Sequence, residues 1–340
     1  MALSFLERDT PVIAAPMAGG TTTVALAAGA SAAGAFPFLA AGYKTAEGLG
    51  EEIAALRMSA SAFGVNLFVP DASAVDASAF SQYADALAEE AEAYGITLDP
   101  VPRSDDDAWN EKVALLRADP VPVVSVTFGL PPASDIALLR RAGSTVLVTV
   151  TTAAEAREAA AAGVDGLVVQ GPGAGGHSAT WDPPRTVGDA STADVLGAVR
   201  AATTLPLIAA GGVDGPGAVR ELLAGGAEAV AVGTLLLRTE EAGTSPSHRA
   251  ALASNEYPDT AITRVFTGRP ARALRNGFVD RHTGHELTAY PEVHHLTREL
   301  RKRAGAADDR DRLHLWAGTG FRAARSGPVA DTIAWLASGI

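Results

Sequence analysis

Short apolar runs rich in β-branched residues recur between residues 11 and 237, and an alanine-rich stretch with its charges on one side follows each of them. The runs are Pro11–Ala18, Ala33–Ala40, Phe63–Val69, Val121–Leu130, Thr145–Val150, Gly166–Gly171, Pro206–Val213 and Ala227–Leu237. Several of them, VVSVTFGL, VLVTV, GLVVQG and PLIAAGGV among them, are apolar without alternation, as strands covered by protein on both faces must be. Between the runs the pattern predicts helices over Thr45–Ser59, Ala77–Tyr94, Asp105–Ala118, Ser134–Ala142, Thr152–Ala162, Val187–Ala202 and Gly215–Ala224. Eight β/α units in about 240 residues have the size of a (β/α)8 TIM barrel. An open doubly wound sheet would carry G-x-G-x-x-G after its first strand. Here that strand ends in APMAGG, and the glycine-rich strand ends belong to runs six, seven and eight.

After Ser254 the texture changes: Arg and His become frequent, with helices predicted over Pro291–Ala304 and Pro328–Ser338. The fold class is therefore α/β, a (β/α)8 barrel with a smaller, mostly helical C-terminal cap. The expected division is a barrel over 1–244, a substrate cap over 245–312 and a terminal segment, 313–340, that returns to the barrel. The run Ala307–Arg312 reads as a solvated turn, and Arg298–Arg303 most simply as a solvated helix face, the alternative being that one cation there meets an anionic substrate.

With 340 residues, 47% of them hydrophobic, the chain can bury a large core. Its net charge of -12 argues against nucleic acid or an anionic membrane as partner and for a small molecule. No apolar stretch is long enough to span a bilayer, and residues 1–8 lack the basic-then-apolar order of a secretory signal. The expected location is the cytoplasm. The absence of cysteine excludes disulfides, thiolate metal sites and a Cys nucleophile.

In a parallel barrel the C-terminal strand ends converge on one face. That face receives Pro16, Met17 and Ala18, Asn66, the Thr127-Phe128-Gly129 turn, Gln170, and Gly175-Gly176-His177. Gly211-Gly212 and Gly233-Thr234 follow runs seven and eight, where bare amide groups can cradle a phosphate, although either pair serves equally as a tight turn. Asn66 and Gln170 end apolar strands; each either faces the polar edge of a flat heterocycle or ties neighbouring strands together. His177 is the first histidine of the chain and follows a glycine-rich loop directly after a strand. An imidazole there, titrating near neutrality, is the candidate catalytic group. The spacing His282-x-x-His285-Glu286 and the pair His294-His295 lack a third ligand, so no metal is expected. Arg269, Arg272 and Arg275 either contact an anion or form a basic surface strand.

In order, APMAGG, FGVNLF, VVSVTFGLP, VVQGPGAGGH, PLIAAGGV and AVGTLLLRTEEA resemble the nitronate monooxygenases, and TGRPARALRNGF, YPEVHHLTREL and WAGTGFRAAR extend the resemblance over almost the entire chain. The resemblance implies FMN as cofactor, with Pro16, Met17 and Ala18 backing the isoalloxazine and Asn66 and Gln170 contacting the flavin. It implies that Gly175, Gly176, Gly211, Gly212, Gly233 and Thr234 hold the cofactor and its phosphate, and that His177 is the active-site histidine. The implied reaction is oxidation of alkyl nitronates, such as propionate 3-nitronate, by dioxygen to a carbonyl compound and nitrite, in a chain that can self-associate as a homo-oligomer. Gly173 and Ala231 depart from the family pattern, which places an acidic residue and a polar amide there. An FMN-dependent enoyl-acyl-carrier-protein reductase using NAD(P)H shares much of this motif set, and a non-catalytic flavin-binding barrel is the third reading.

Overall fold

The computed structural model describes Leu3, residues 10–71, residues 73–338 and Ile340. The secretory-signal reading of residues 1–8 lies, Leu3 apart, outside the described residues. Eight strands close into a parallel barrel: β1 (Val12–Ala14), β2 (Phe36–Ala40), β3 (Gly64–Phe68), β4 (Val123–Thr127), β5 (Thr145–Val150), β6 (Gly166–Gln170), β8 (Leu207–Ala210) and β9 (Ala229–Val232). β1 closes the ring by pairing with both β2 and β9. Each strand falls within one of the eight apolar runs. Their inward side chains, Ile13, Phe36, Phe38, Val123, Leu147, Ile208, Ala229 and Ala231, form one buried cluster with Leu3. The outward ones pack beneath the surrounding helices in a second, larger cluster.

The outer helices are α1 (Val24–Ala32), α2 (Ala46–Arg57), α5 (Trp109–Ala118), α6 (Ala133–Ala142), α7 (Ala153–Ala161), α8 (Thr192–Ala202), α9 (Pro216–Ala224) and α13 (Val329–Ala337). Several begin where a hydroxyl can satisfy the free amides of the first turn. Thr45 caps α2, while Thr152 with Glu155 and Ser191 with Asp194 form capping boxes on α7 and α8. The start at Ser191 trims the helix expected from Val187. Asp107 and Ala108 adopt φ of 53° and 52°, which delays α5 to Trp109. α1 was not predicted because VALAAGASA has no polar face to betray a period.

Two further helices, α3 (Ala77–Ala86) and α4 (Ala88–Glu92), replace the single helix expected over Ala77–Tyr94, with the break at Leu87. They do not cover the barrel. Phe80, Tyr83, Leu87 and Ala91 pack against Val265, Phe266, Phe278, Val293, Leu296 and Leu300. The cap thus combines this insertion with α10 (Pro246–Ala253), α11 (Gly277–His282), α12 (Glu292–Ala306) and a three-stranded antiparallel sheet of β10 (Thr260–Thr263), β11 (Ala271–Leu274) and β7 (Gly176–His177). β11 corrects the surface-strand alternative. It is largely interior: Arg269 before it is buried, Arg272 is half-buried, and Arg275, paired with Asp280, is exposed as expected. The Ala307–Arg312 run is also less solvated than expected. Arg312 Nε lies 2.5 Å from Glu90, and Asp309 accepts a hydrogen bond from Tyr94, so the run joins α4 to the cap. No helix of the described residues is long and apolar enough to cross a membrane.

Candidate active site

At the C-terminal mouth of the barrel, beneath the cap, lies a cavity of about 960 Å³. The residues expected to hold cofactor or act in catalysis line it: Pro16, Met17, Ala18, Asn66, Gln170, Gly175, Gly176, His177, Gly211, Gly212, Gly233 and Thr234; Gly129, Arg269, Arg272 and Arg275 do not. Residues from five strand ends, spread over more than two hundred positions, are thus brought to one cavity, which is the consequence of parallel closure.

The two amides that end apolar strands both bind protein. Asn66 Nδ2 donates to Ser125 Oγ at 2.9 Å and to Thr127 Oγ1 at 3.0 Å, tying β3 to β4. Gln170 clasps the loop that follows it: Nε2 donates to His177 O at 3.2 Å, and Oε1 accepts from Ala179 N at 2.8 Å. This clasp sets the start and finish of the His177 loop. Within the loop, a Cβ on Gly175 would stand 2.5 Å from Gly318 N and 2.7 Å from the Ala317 carbonyl carbon. Only glycine lets the loop pass the terminal segment at that distance. Gly211 and Gly212, with φ of 103° and 72°, turn the chain sharply after β8. Among the described residues, no hydrogen bond leaves the amide N–H of Gly212, Val213, Gly233 or Thr234, and all four residues line the cavity. Thr234 Oγ1 is occupied, accepting from Gly318 N at 2.9 Å.

His177 is held in β7, paired with Ala271 of β11, so the cap supplies its backbone support. Its Nε2 lies 2.9 Å from Thr267 Oγ1. That hydroxyl donates to Arg269 O at 3.4 Å, which leaves its lone pairs to accept from an Nε2–H. The arrangement favours the tautomer with a free lone pair on Nδ1. Around the imidazole stand Phe128, Tyr290 and Trp316, with ring centroids at 5.6, 5.5 and 5.5 Å. Burial, then the charges of Arg269 and Arg301, lower its pKa from 6.5 to about 3. The expectation of titration near neutrality is therefore corrected: the ring is neutral across the physiological range.

Arg269, fully buried, sits 4.0 Å above the Phe128 ring and donates to the carbonyl of Thr180. Phe128 itself adopts φ 84°, and Tyr43, across the cavity, adopts φ 67°; both are unusual for bulky side chains and both face the site. Tyr43 stacks on His294 at 4.3 Å, and Tyr290 donates to the Tyr43 hydroxyl at 3.1 Å. The histidine pairs weighed as metal ligands meet other partners. His282 lies 3.0 Å from Glu90, and His295 lies 2.8 Å from Asp105. Thr267, Tyr43, Tyr290, Arg301 and Trp316 were not singled out from the sequence. Three of the five belong to the cap and Trp316 to the terminal segment, where no strand-end rule points inward; the signal for Arg301 is that it recurs with Val293 and Thr297 on the buried face of α12.

The nitronate monooxygenase family profile matches residues 3–339. The chain belongs to the nitronate monooxygenase family. A probable nitronate monooxygenase of Staphylococcus aureus strain Newman is 31% identical over 333 residues, covering 96% of this chain and 93% of that relative. The solved nitroalkane oxidase of Streptomyces ansochromogenes is 42% identical and superposes with a TM-score of 0.93, covering 99% of this chain and 97% of that one. FabK of Thermotoga maritima, at 24% identity and a TM-score of 0.74, shares the fold. As a nitronate monooxygenase the chain is a flavin-dependent oxidoreductase. The open amides after β8 and β9, lining a cavity with the volume for such a group, suit the phosphate end of a flavin.

Proposed function

We propose that this enzyme binds FMN and oxidises alkyl nitronates with dioxygen, giving a carbonyl compound and nitrite. Gly212, Val213, Gly233 and Thr234 would hold the phosphate through their amides, with Gly211, Gly175 and Gly176 shaping the turns. Pro16, Met17 and Ala18 would lie along the flavin ring, and the unspent acceptor of Asn66 and second amide hydrogen of Gln170 would meet its polar edge. Bound FMN supplies the electron acceptor and the route by which electrons reach dioxygen.

The observation that carries the choice of substrate is the buried, neutral His177. A base held at about 3 is poorly matched to removing a proton from carbon in a neutral nitroalkane. A nitronate arrives already deprotonated. His177 then orients it, with Thr267 fixing the ring and Gln170 fixing the backbone. The nitroalkane oxidase from Streptomyces ansochromogenes supports a second reading, in which His177 Nδ1 takes the proton of a neutral nitroalkane. Anaerobic mixing separates the readings. Propionate 3-nitronate is expected to bleach the flavin absorbance, nitroethane to do so far more slowly, and NADH to leave it unchanged. Bleaching by NADH alone would assign a reductase, equal rates for nitroethane and its nitronate would assign His177 as a base, and no bleaching by any of them would leave a flavin-binding barrel.

A further inference from the structure

Arg301 is 7% exposed, yet it lines the cavity. All its recorded partners are neutral. Nε donates to Thr297 Oγ1 at 3.0 Å, and Nη2 donates to His294 O at 2.9 Å and lies 3.3 Å from His294 Nδ1. Among the described residues Nη1 has no hydrogen-bond partner and no carboxylate stands within ion-pair reach. The titratable groups acting on it are Tyr43, Arg298 and Tyr290. Burial lowers its pKa only to about 10, so it remains a cation. A buried cation facing neutral neighbours is costly unless an anion meets it.

The location says which anion. The phosphate amides follow β8 and β9 on the barrel, whereas Arg301 belongs to the cap helix α12. His177 and Arg301 also enter the cavity from different elements, β7 and α12, close enough for the Arg301 charge to act on the His177 ring. His314, on which the Arg301 charge acts, also lines the cavity. A planar two-oxygen anion in the cavity can accept from the guanidinium edge that Nη1 leaves open.

We propose that Arg301, held against His294, is the specificity-determining residue that receives a carboxylate on the end of the substrate remote from the nitronate group at His177. The inference rests on the reading of this cavity as a nitronate site. Its test compares propionate 3-nitronate with propyl-1-nitronate, which has the same carbon count and no carboxylate, in flavin-loaded wild type, Arg301→Gln and Arg301→Lys. The ratio of kcat/KM for the carboxylated over the plain nitronate is expected to fall by about tenfold or more in Arg301→Gln, chiefly through KM, with partial recovery in Arg301→Lys. An unchanged ratio, or equal losses on both substrates, overturns the proposal. Thermal shift with succinate and butyrate supplies a readout independent of turnover. Succinate should raise Tm more than butyrate in wild type, and Arg301→Gln should erase the difference. That difference persisting in the variant refutes the subsite. If wild type oxidises neither nitronate but shows the Arg301-dependent succinate effect, the subsite stands and the reading of the reaction falls.

Discussion

His177, His248 and His294 are each pushed down from 6.5, to about 3, about 4 and about 2, and burial is the leading cause in all three. The unfolded chain takes up these protons at 6.5 while the folded chain refuses them, so unfolding binds protons below that pH. The stability they contribute is complete above 6.5 and declines as pH falls toward the folded values. Melting temperature should therefore drop between about pH 7.5 and pH 5, before the carboxylates begin to protonate, and His177→Asn should make that drop shallower. Calorimetric melts of the two proteins across that range check it; parallel curves would show that His177 is more hydrated than its surroundings indicate. The sequence showed His177 as a strand-end group but not as a neutral one. Its pKa depends on Phe128, Tyr290, Trp316, Arg269 and Arg301, and all but Phe128 arrive from residues more than ninety positions away.

At the level of elements, barrel strands were legible because a parallel strand covered on both faces is apolar throughout, and that signal survives without tertiary context. The two-residue strand β7 was not legible, since nothing in Gly176-His177 distinguishes a loop from an edge that pairs with Arg272 and Ala271. The glycines of that loop are expected to hold the cofactor and let the backbone pass close. Gly175 makes such a close passage against the backbone of Ala317 and Gly318. Replacing it with alanine should force the His177 loop and the terminal segment apart, costing about 1–3 kcal/mol as overpacking does. Because Thr234 is joined to the same Gly318, the variant should also release flavin more readily. Flavin content after gel filtration and urea midpoints measure both effects. A variant that keeps wild-type flavin and stability would show that the two segments part without consequence.

For the whole molecule, the expected division at residues 244 and 312 meets a packing arrangement that crosses it twice. Phe80, Tyr83 and Leu87 are buried against Phe266, Phe278 and Val293, so an insertion within the first segment belongs to the core of the second. Glu90 binds the same parts together: burial raises its pKa, but hydrogen bonds from Arg281, His282 and Arg312 hold it down at about 2. The terminal segment contributes Trp316 to the wall around His177, and Gly318 to the turn at Thr234, before α13 returns to pack on α1. Linear patterning sees a change of texture near Ser254 but cannot see a cap assembled from both sides of it. A fragment of residues 1–244 would therefore expose the apolar face of α3, strip β7 of its partner strand and remove Thr267 from His177. We expect that fragment to bind a hydrophobic dye and fail to retain flavin, whereas the full chain unfolds in one transition with barrel and cap melting together. Flavin release and the fluorescence of Trp316, read in a variant whose Trp109, Trp181 and Trp335 on the barrel core are replaced by phenylalanine, recorded during the same denaturant titration, test the second expectation. Trp316 reports the cap and flavin the barrel mouth, so separated midpoints would mean that the cap unfolds as a unit of its own and that the shared core couples the two only weakly.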